Sequence, residues 1–277
     1  MNQTTTQSTA QPAARHPVEH SSASSTPPSL LTDGRTASWL LGLSALALLA
    51  TVAVLAVTTP APDYVQGEAS RLIYVHPATA WVSYAAFATN VVCAVLWLWP
   101  RTRKIGWDHA AGAAAHIGVF FVTMTFVLGA IWGRGTWGTF FRLRDARMAS
   151  TLVLLLMYLG VVTLRQLPAS PTTRARRTAL GSMLAFLNVP IVHFSVKWWD
   201  TLHQGPTLAK PERPSIDGMP LATMLLSFVA FTVLFSWLMI HRVRIERWND
   251  ALLGDDLDAA IALRQGEGRV FAAEATA

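Results

Sequence analysis

Residues 38–58 read SWLLGLSALALLATVAVLAVT, a run with no charged side chain and no proline. A helix needs about 20 apolar residues to cross the hydrocarbon of a bilayer, where every backbone N–H and C=O must find its partner within the protein. The stretch is therefore read as a membrane-spanning helix. Five more blocks answer the same description: Ala78–Trp99, Ala111–Gly133, Met148–Leu164, Thr178–Val196 and Pro220–Ile240. A membrane β-barrel would instead show short segments alternating with period two. Composition agrees, because the 277 residues are 52% hydrophobic and 14% charged, against roughly a quarter charged in a soluble domain. The expected fold class is all-α: a polytopic membrane protein built as a bundle of six transmembrane helices, with a tryptophan- and arginine-bearing outer loop.

The ends of the chain differ from this core. Residues 1–37 are rich in Ser, Thr, Ala, Gln and Pro and nearly devoid of large apolar side chains, too little to offset the entropy of ordering. They are expected to form a disordered cytoplasmic tail. The first apolar block is too long for a signal-peptide core and follows that long tail, so a retained anchor is expected, with cleavage near Ala61 the alternative. The transmembrane domain is taken as 38–242 and a cytoplasmic C-terminal tail as 243–277. In the latter region RVRIERWNDALLGDDLDAAIALRQ spaces charges around Leu and Ile at helical intervals, which predicts a short amphipathic helix. Cys93, the single cysteine, lies inside the second block. An intrachain disulfide and a CxxCH haem-attachment motif are both excluded.

Lys and Arg near the helix ends set orientation. With the N-terminus inside, twelve of them flank the cytoplasmic ends and eight the outer ends, four of the eight being Arg134, Arg142, Arg144 and Arg147 in one loop. The protein is expected in the cytoplasmic (inner) membrane as a multi-pass chain with both termini cytoplasmic.

In that topology three outer loops share one face. The first, PAPDYVQGEASRLIYVHPATAW (60–81), contains His76 just before the second block. The second, WGRGTWGTFFRLRDARMAS (132–150), holds Trp132, Trp137 and the arginines; the third, KWWDTLHQGPT (197–207), holds Trp198, Trp199 and His203. An interfacial belt accounts for tryptophans at such depths, and spacing alone leaves that reading open. Two imidazoles, a set of aromatic rings and several arginines also suit a flat apolar macrocycle carrying a metal and two carboxylates. Imidazole nitrogens ligate iron, rings cover the porphyrin, and guanidinium forks pair with propionates. Zinc needs a third or fourth ligand, and Asp63, Glu68, Asp145 and Asp200 offer no characteristic spacing. An anion vestibule leaves the histidines idle. His193 is a rival, three residues past Pro190, whose ring removes a backbone donor and is expected to kink the fifth block there; lying four residues before Lys197 on one helical face, it is read as supporting the ligands or structural. His109 and His116 fall near the opposite end, and His16, His20 and His241 in tail or boundary positions.

RLIYVHPATAW, the WG-x3-WGT opening of the second loop and, most specifically, VPIVHFSVKWWDTLHQG (189–205) resemble the haem exporter protein C family, CcmC, of the system I cytochrome c maturation pathway within the wider haem-handling superfamily. The resemblance runs from about residue 40 to 240. It implies that His76 and His203 are axial ligands of the iron of a non-covalently held haem b at the extracytoplasmic surface, and that the loop 137–147 is a tryptophan-rich haem platform. By the same resemblance, Arg71, Asp145 and Arg147 take part in haem handling, and Trp137, Phe140, Phe141, Trp198 and Trp199 supply aromatic cover. The implied partners are a membrane-tethered haem chaperone, the ATPase and permease subunits of an ABC transporter, a small membrane adaptor and the lipid bilayer. No nucleic acid is among them.

Two departures from the family pattern stand out. Where the family platform reads close to WGTWWxWDxR, this chain reads WGTFFRLRDAR, with Phe140 and Phe141 in place of tryptophans, arginines added at 142 and 144, and one residue more before Asp145. Pro77 follows His76 directly, where the family usually has an intervening residue; because proline disfavours the α region for the residue before it, His76 is expected on an extended segment above the helix start. The function expected is haem holding and delivery without bond-making chemistry of its own. The alternative is a b-type cytochrome electron-transfer subunit, which calls for histidine pairs at membrane depth on both sides.

Overall fold

The computed structural model describes residues 35–205, 208 and 213–274, with side chains described for 36–205, 208 and 213–254. Most of the expected N-terminal tail, with His16 and His20, and Lys210 of the third loop lie outside the described residues. Seven α-helices and one 3-10 helix follow in order: α1 (Arg35–Thr58), the 3-10 helix (Gly67–Tyr74), α2 (His76–Leu98), α3 (Ile105–Trp137), α4 (Ala146–Gln166), α5 (Pro171–Phe186), α6 (Asn188–Trp198) and α7 (Gly218–Glu274). No strand occurs among the described residues. Six helical segments are long and apolar enough to cross a membrane, the fifth of them (Pro171–Trp198) made of α5 and α6 together.

The interruption of the fifth segment has a local cause. Pro190 sits in the first turn of α6, four residues after Phe186, the last residue of α5. A proline ring clashes with the carbonyl four residues earlier and provides no N–H to bond it. The break expected at Pro190 therefore falls one turn before it, at Leu187. Asn188 bridges the break by donating Nδ2 to the Ser150 carbonyl of α4 at 2.9 Å.

Two other boundaries shape one end of the bundle. α3 ends at Trp137 because Gly138 takes a left-handed conformation, φ 73°, which glycine adopts without steric cost. α4 begins after Asp145, whose carboxylate Oδ1 accepts the Met148 N–H at 3.0 Å as an N-cap. The loops after α1, α3 and α6 gather at this end.

Between the ends the bundle packs in the ordinary way of close-fitting helices. α2 lies along α3, α1 along α7, and α4 against α5 and α6. Phe87 and Tyr158 stack at 3.6 Å in a buried cluster with Val122, Leu154 and Val192. Leu46, Val57 and Leu156 are exposed, as lipid-facing positions of a spanning helix are.

The opposite end is closed by ions rather than by apolar side chains. Arg165 of α4 makes two parallel bonds to Asp108 of α3, at 2.8 and 3.0 Å, and a third to Glu246 of α7 at 2.9 Å. Arg174 of α5 grips Asp250 of α7 at 2.6 and 2.8 Å and reaches Asp108 at 3.1 Å. His109 Nε2 lies 2.7 Å from Asp250. Arg165, Asp108 and Glu246 are all buried. Arg165 was counted from sequence as one of the flanking charges, and it is instead the hub that joins α4 to α3 and α7. The segment 243–274, where a separate amphipathic helix was expected, continues α7 without a break.

The arrangement predicts opposite labelling at the two ends. In a Cys93→Ala background, single cysteines at Thr139 and at Ala169 should react with an impermeant thiol reagent from opposite sides of the membrane. Ala169 is preferred to its neighbour because Ser170 caps α5. Labelling from one side would contradict a chain that crosses between them.

Candidate functional site

A cavity of about 970 Å3 opens at the end of the bundle where the three loops meet. That is at the upper end of the usual range for small-molecule and cofactor sites, roughly 300–1,000 Å3. Its wall is mostly apolar, and both His76 and His203 belong to it.

His76 is the first residue of α2, and Pro77 occupies the first turn. The expectation of an extended segment is thereby corrected: in the first turn a proline removes only an N–H that has no helical partner in any case, so it is accommodated there. The imidazole stands edge-on to Trp132 at 5.7 Å and 83°, and the Trp132 indole N–H donates to Gln66 Oε1 at 2.8 Å. The ring also lies against bare backbone at Gly129 of α3, one turn from Trp132, where a Cβ would fall 3.0 Å from Cε1. His76 Nδ1 is buried and has no hydrogen-bond partner. An imidazole held without a well-formed hydrogen bond beside an apolar cavity makes His76 a candidate ligand.

His203 enters from the loop between α6 and α7, with its ring 4.8 Å from that of Trp137. Asp145 holds this loop to the start of α4: Oδ2 accepts the Leu202 N–H at 2.7 Å while Oδ1 caps α4. Asp145 Oδ1 also lies 3.2 Å from His203 Nδ1, out of line for a well-formed hydrogen bond. A carboxylate facing Nδ1 orients the ring and leaves Nε2 for a metal. Burial pushes His203 below the ordinary imidazole range and the Arg147 cation adds to this, against the opposing pull of Asp145. The ring is consequently neutral near pH 7, the form that ligates metals.

Two cations join the same wall. Arg147 of α4 donates Nη2 to the His193 carbonyl at 2.9 Å, and its Nε lies 3.4 Å from Ser195 Oγ. These bonds fix the guanidinium against α6, and Nη1 has no protein partner among the described residues. Lys197 of α6 is the other. His193, Trp81 and Tyr84 line the cavity as well, and the rings of Tyr84 and His193 meet edge-on at 6.2 Å. His193 and Lys197 are the residues that sequence reasoning set aside. Their shared helical face within an otherwise apolar span was the available signal, since polar side chains at membrane depth face a cavity or a partner.

Of the residues singled out from sequence, His76, His203, Trp137 and Arg147 meet in the cavity wall, with buried Asp145 behind His203. Arg71 is placed elsewhere. Its guanidinium is spent on Glu68 and on the carbonyls of Ala56 and Thr59 at the end of α1, so it pins the 3-10 helix to α1. Phe140 is exposed with the Arg134 guanidinium 5.7 Å above its ring, and Phe141 packs on Phe126 at 5.3 Å. Trp198 and Trp199 end α6, half-exposed and 5.8 Å apart, the placement of an interfacial belt. Arg142 and Arg144 are exposed. None of these seven lines the cavity.

The chemistry open to this wall is ligation of one metal by neutral imidazoles within an apolar, ring-lined space, with cations placed for anionic substituents. Among the described residues no cluster of three or more His, Cys, Asp or Glu could hold a bare metal ion. The metal would arrive inside its own ligand, and an iron porphyrin meets that condition.

Comparison with known proteins agrees with this chemistry. The family model "Heme exporter protein C", CcmC, matches residues 21–252. Heme exporter protein C of Haemophilus influenzae is 37% identical over 188 residues, covering 66% of this chain and 74% of that protein. The protein of the same name from Bradyrhizobium diazoefficiens is 35% identical over 187 residues, 66% of this chain and 69% of its own. A putative cytochrome c biosynthesis ccmC-like mitochondrial protein of Arabidopsis thaliana is 32% identical over 212 residues, 75% of each chain. The chain belongs to the CcmC family, that of Heme exporter protein C.

Proposed function

We propose that the protein holds haem b non-covalently in this cavity, with His76 and His203 as axial ligands, and delivers it to a membrane-tethered haem chaperone for cytochrome c maturation. The observation that carries the reading is the meeting of His76 and His203, from distant parts of the chain, in the wall of one apolar cavity. Trp132 and Trp137 would cover the macrocycle, and Arg147 and Lys197 would meet its propionates. Asp145 acts through His203 by fixing the loop that bears it. The cavity end is the extracytoplasmic face of the inner membrane and both termini are cytoplasmic. The ABC transporter subunits and a small membrane adaptor complete the assembly. The protein contributes binding and orientation, and the cargo carries the metal chemistry.

The histidines of the cavity wall, His76, His193 and His203, all stand at one end of the bundle. His109 is tied to Asp250 at the other end. An electron-transfer subunit would need a second haem site there to relay charge across the membrane.

The arginines test the reading. Lysine offers a point charge without the planar fork of arginine. Because a hydrogen bond to a charged group is worth about 1.5–3 kcal/mol, Arg147→Lys should lower haem retention by roughly tenfold or more. Arg142→Lys and Arg144→Lys should leave it near wild type. Arg71→Lys should act mainly on stability, through the lost carbonyl contacts at the end of α1. The measurement is haem occupancy and chaperone haemylation for the four single variants at matched expression. Equal, small effects at all four positions would reduce the arginines to a screened surface charge.

A further inference from the structure

Among the described residues the cavity has no packed wall between α6 and α7. α6 packs on α4 and α5, and α7 on α1, α2 and α3; among the described residues α6 and α7 share no extended packing. The cavity reaches this gap, since Val196 and Lys197 of α6 and Leu225 and Val229 of α7 line it. Leu225 and Val229 are about half exposed, at 47% and 53%.

The gap lies at membrane depth. Its two edges belong to the apolar segments Pro171–Trp198 and Gly218–Gly254. Along α7 the lining runs from Met224 to Val233, which is about 13 Å of helix at 1.5 Å per residue in a hydrocarbon layer about 30 Å thick. At its deep end Trp81 of α2 donates its indole N–H to Thr232 of α7 at 3.0 Å. The sides that touch lipid are apolar, and the polar groups at the edge are Lys197 towards the loops and His193 one turn deeper. A lysine there reaches the headgroup level with its ammonium while its stem stays in hydrocarbon.

A planar molecule with an apolar body and two carboxylates partitions into a bilayer with its body among the acyl chains and its carboxylates at the headgroups. Those are the two levels that the gap presents. We propose that the opening between α6 and α7 is a side entrance, through which haem dissolved in the bilayer slides to His76 and His203 with its carboxylates led by Lys197. The proposal rests on the reading of the cavity as a haem site, and it adds the route by which the site fills.

The test narrows the entrance from either edge. Val196→Trp and Val229→Trp would each place an indole in the gap, and two variants on different helices guard against a fault in one. Each protein, free of haem and reconstituted in phosphatidylcholine vesicles, is mixed with haem-charged phosphatidylcholine vesicles or with haem-charged serum albumin, and uptake is followed at the Soret band. The ratio of vesicle-fed to albumin-fed rate should fall by about tenfold in both variants, equivalent to about 1.4 kcal/mol on the loading barrier. Lys197→Glu should lower the same ratio through repulsion of the carboxylates. If wild type loads from both donors and the two tryptophan variants leave the ratio unchanged, the side entrance is wrong and the haem site stands. If wild type takes haem from neither donor, both proposals fall.

Discussion

His203→Ala and His76→Ala are each expected to strip most of the bound haem, by at least about tenfold in occupancy, since each tenfold is only about 1.4 kcal/mol of binding free energy and an axial ligand contributes more. Added imidazole should restore binding in either variant by filling the vacated position. Rescue separates loss of a ligand from loss of the fold, because free imidazole cannot repair a misfolded bundle. Acidity provides a second handle. His203 is depressed below its ordinary value, first by burial and then by Arg147, so its neutral form persists as pH falls through about 6.5. Haem retention should therefore be flat from neutral pH down through that value and fall only at more acidic pH, where protonation competes with the metal. Retention that falls steeply above pH 6.5 would assign the binding to some other group. If both alanine variants keep wild-type occupancy and spectrum, the axial assignment is wrong.

Arg165→Ala is expected to destabilise the protein by about 1.5–3 kcal/mol, the scale of losing buried hydrogen bonds between charged groups. The variant removes the ties from α4 to Asp108 of α3 and Glu246 of α7, both buried, leaving Asp108 to Arg174 and Glu246 to Arg242. Arg176→Ala provides the comparison. Arg176 is exposed on α5, and its loss should stay within about 0.5 kcal/mol. Thermal unfolding of the two purified variants in one detergent checks the contrast. Equal melting temperatures would mean that the ionic cluster is solvated and does not hold the helices together.

The same pair of residues marks where sequence reading stops. Arg165 and Arg176 both flank apolar blocks at one end, and hydropathy treats them alike. Only the register of α4 against α3 and α7 decides that one is buried and the other wet, and that register is a property of packing across more than 50 residues of chain. The six spans were legible because hydrocarbon imposes a length and a composition on each; even the broken fifth helix left its mark in Pro190. Helix ends were less so, since α3 continues past the apolar block to Trp137 and stops only where Gly138 turns left-handed.

The candidate site divides along the same line. His76 and His203 were legible as histidines on loops of one predicted face. Asp145, implied by resemblance, gained a physical role only when its two oxygens were seen on α4 and on the third loop. Arg71 looked like a cation for a propionate and is engaged with the end of α1, a use that no spacing announces. His193 and Lys197 line the cavity, a placement that their spacing in the sequence did not announce.

The most direct measurement is the visible spectrum of the full-length protein purified in mild detergent after expression in haem-replete cells. The account predicts a Soret band with the sharp visible bands of a six-coordinate, bis-imidazole haem, removable by acid-acetone extraction because no covalent attachment is available to a chain whose single cysteine, Cys93, is buried within α2. A colourless, folded protein under those conditions would contradict it.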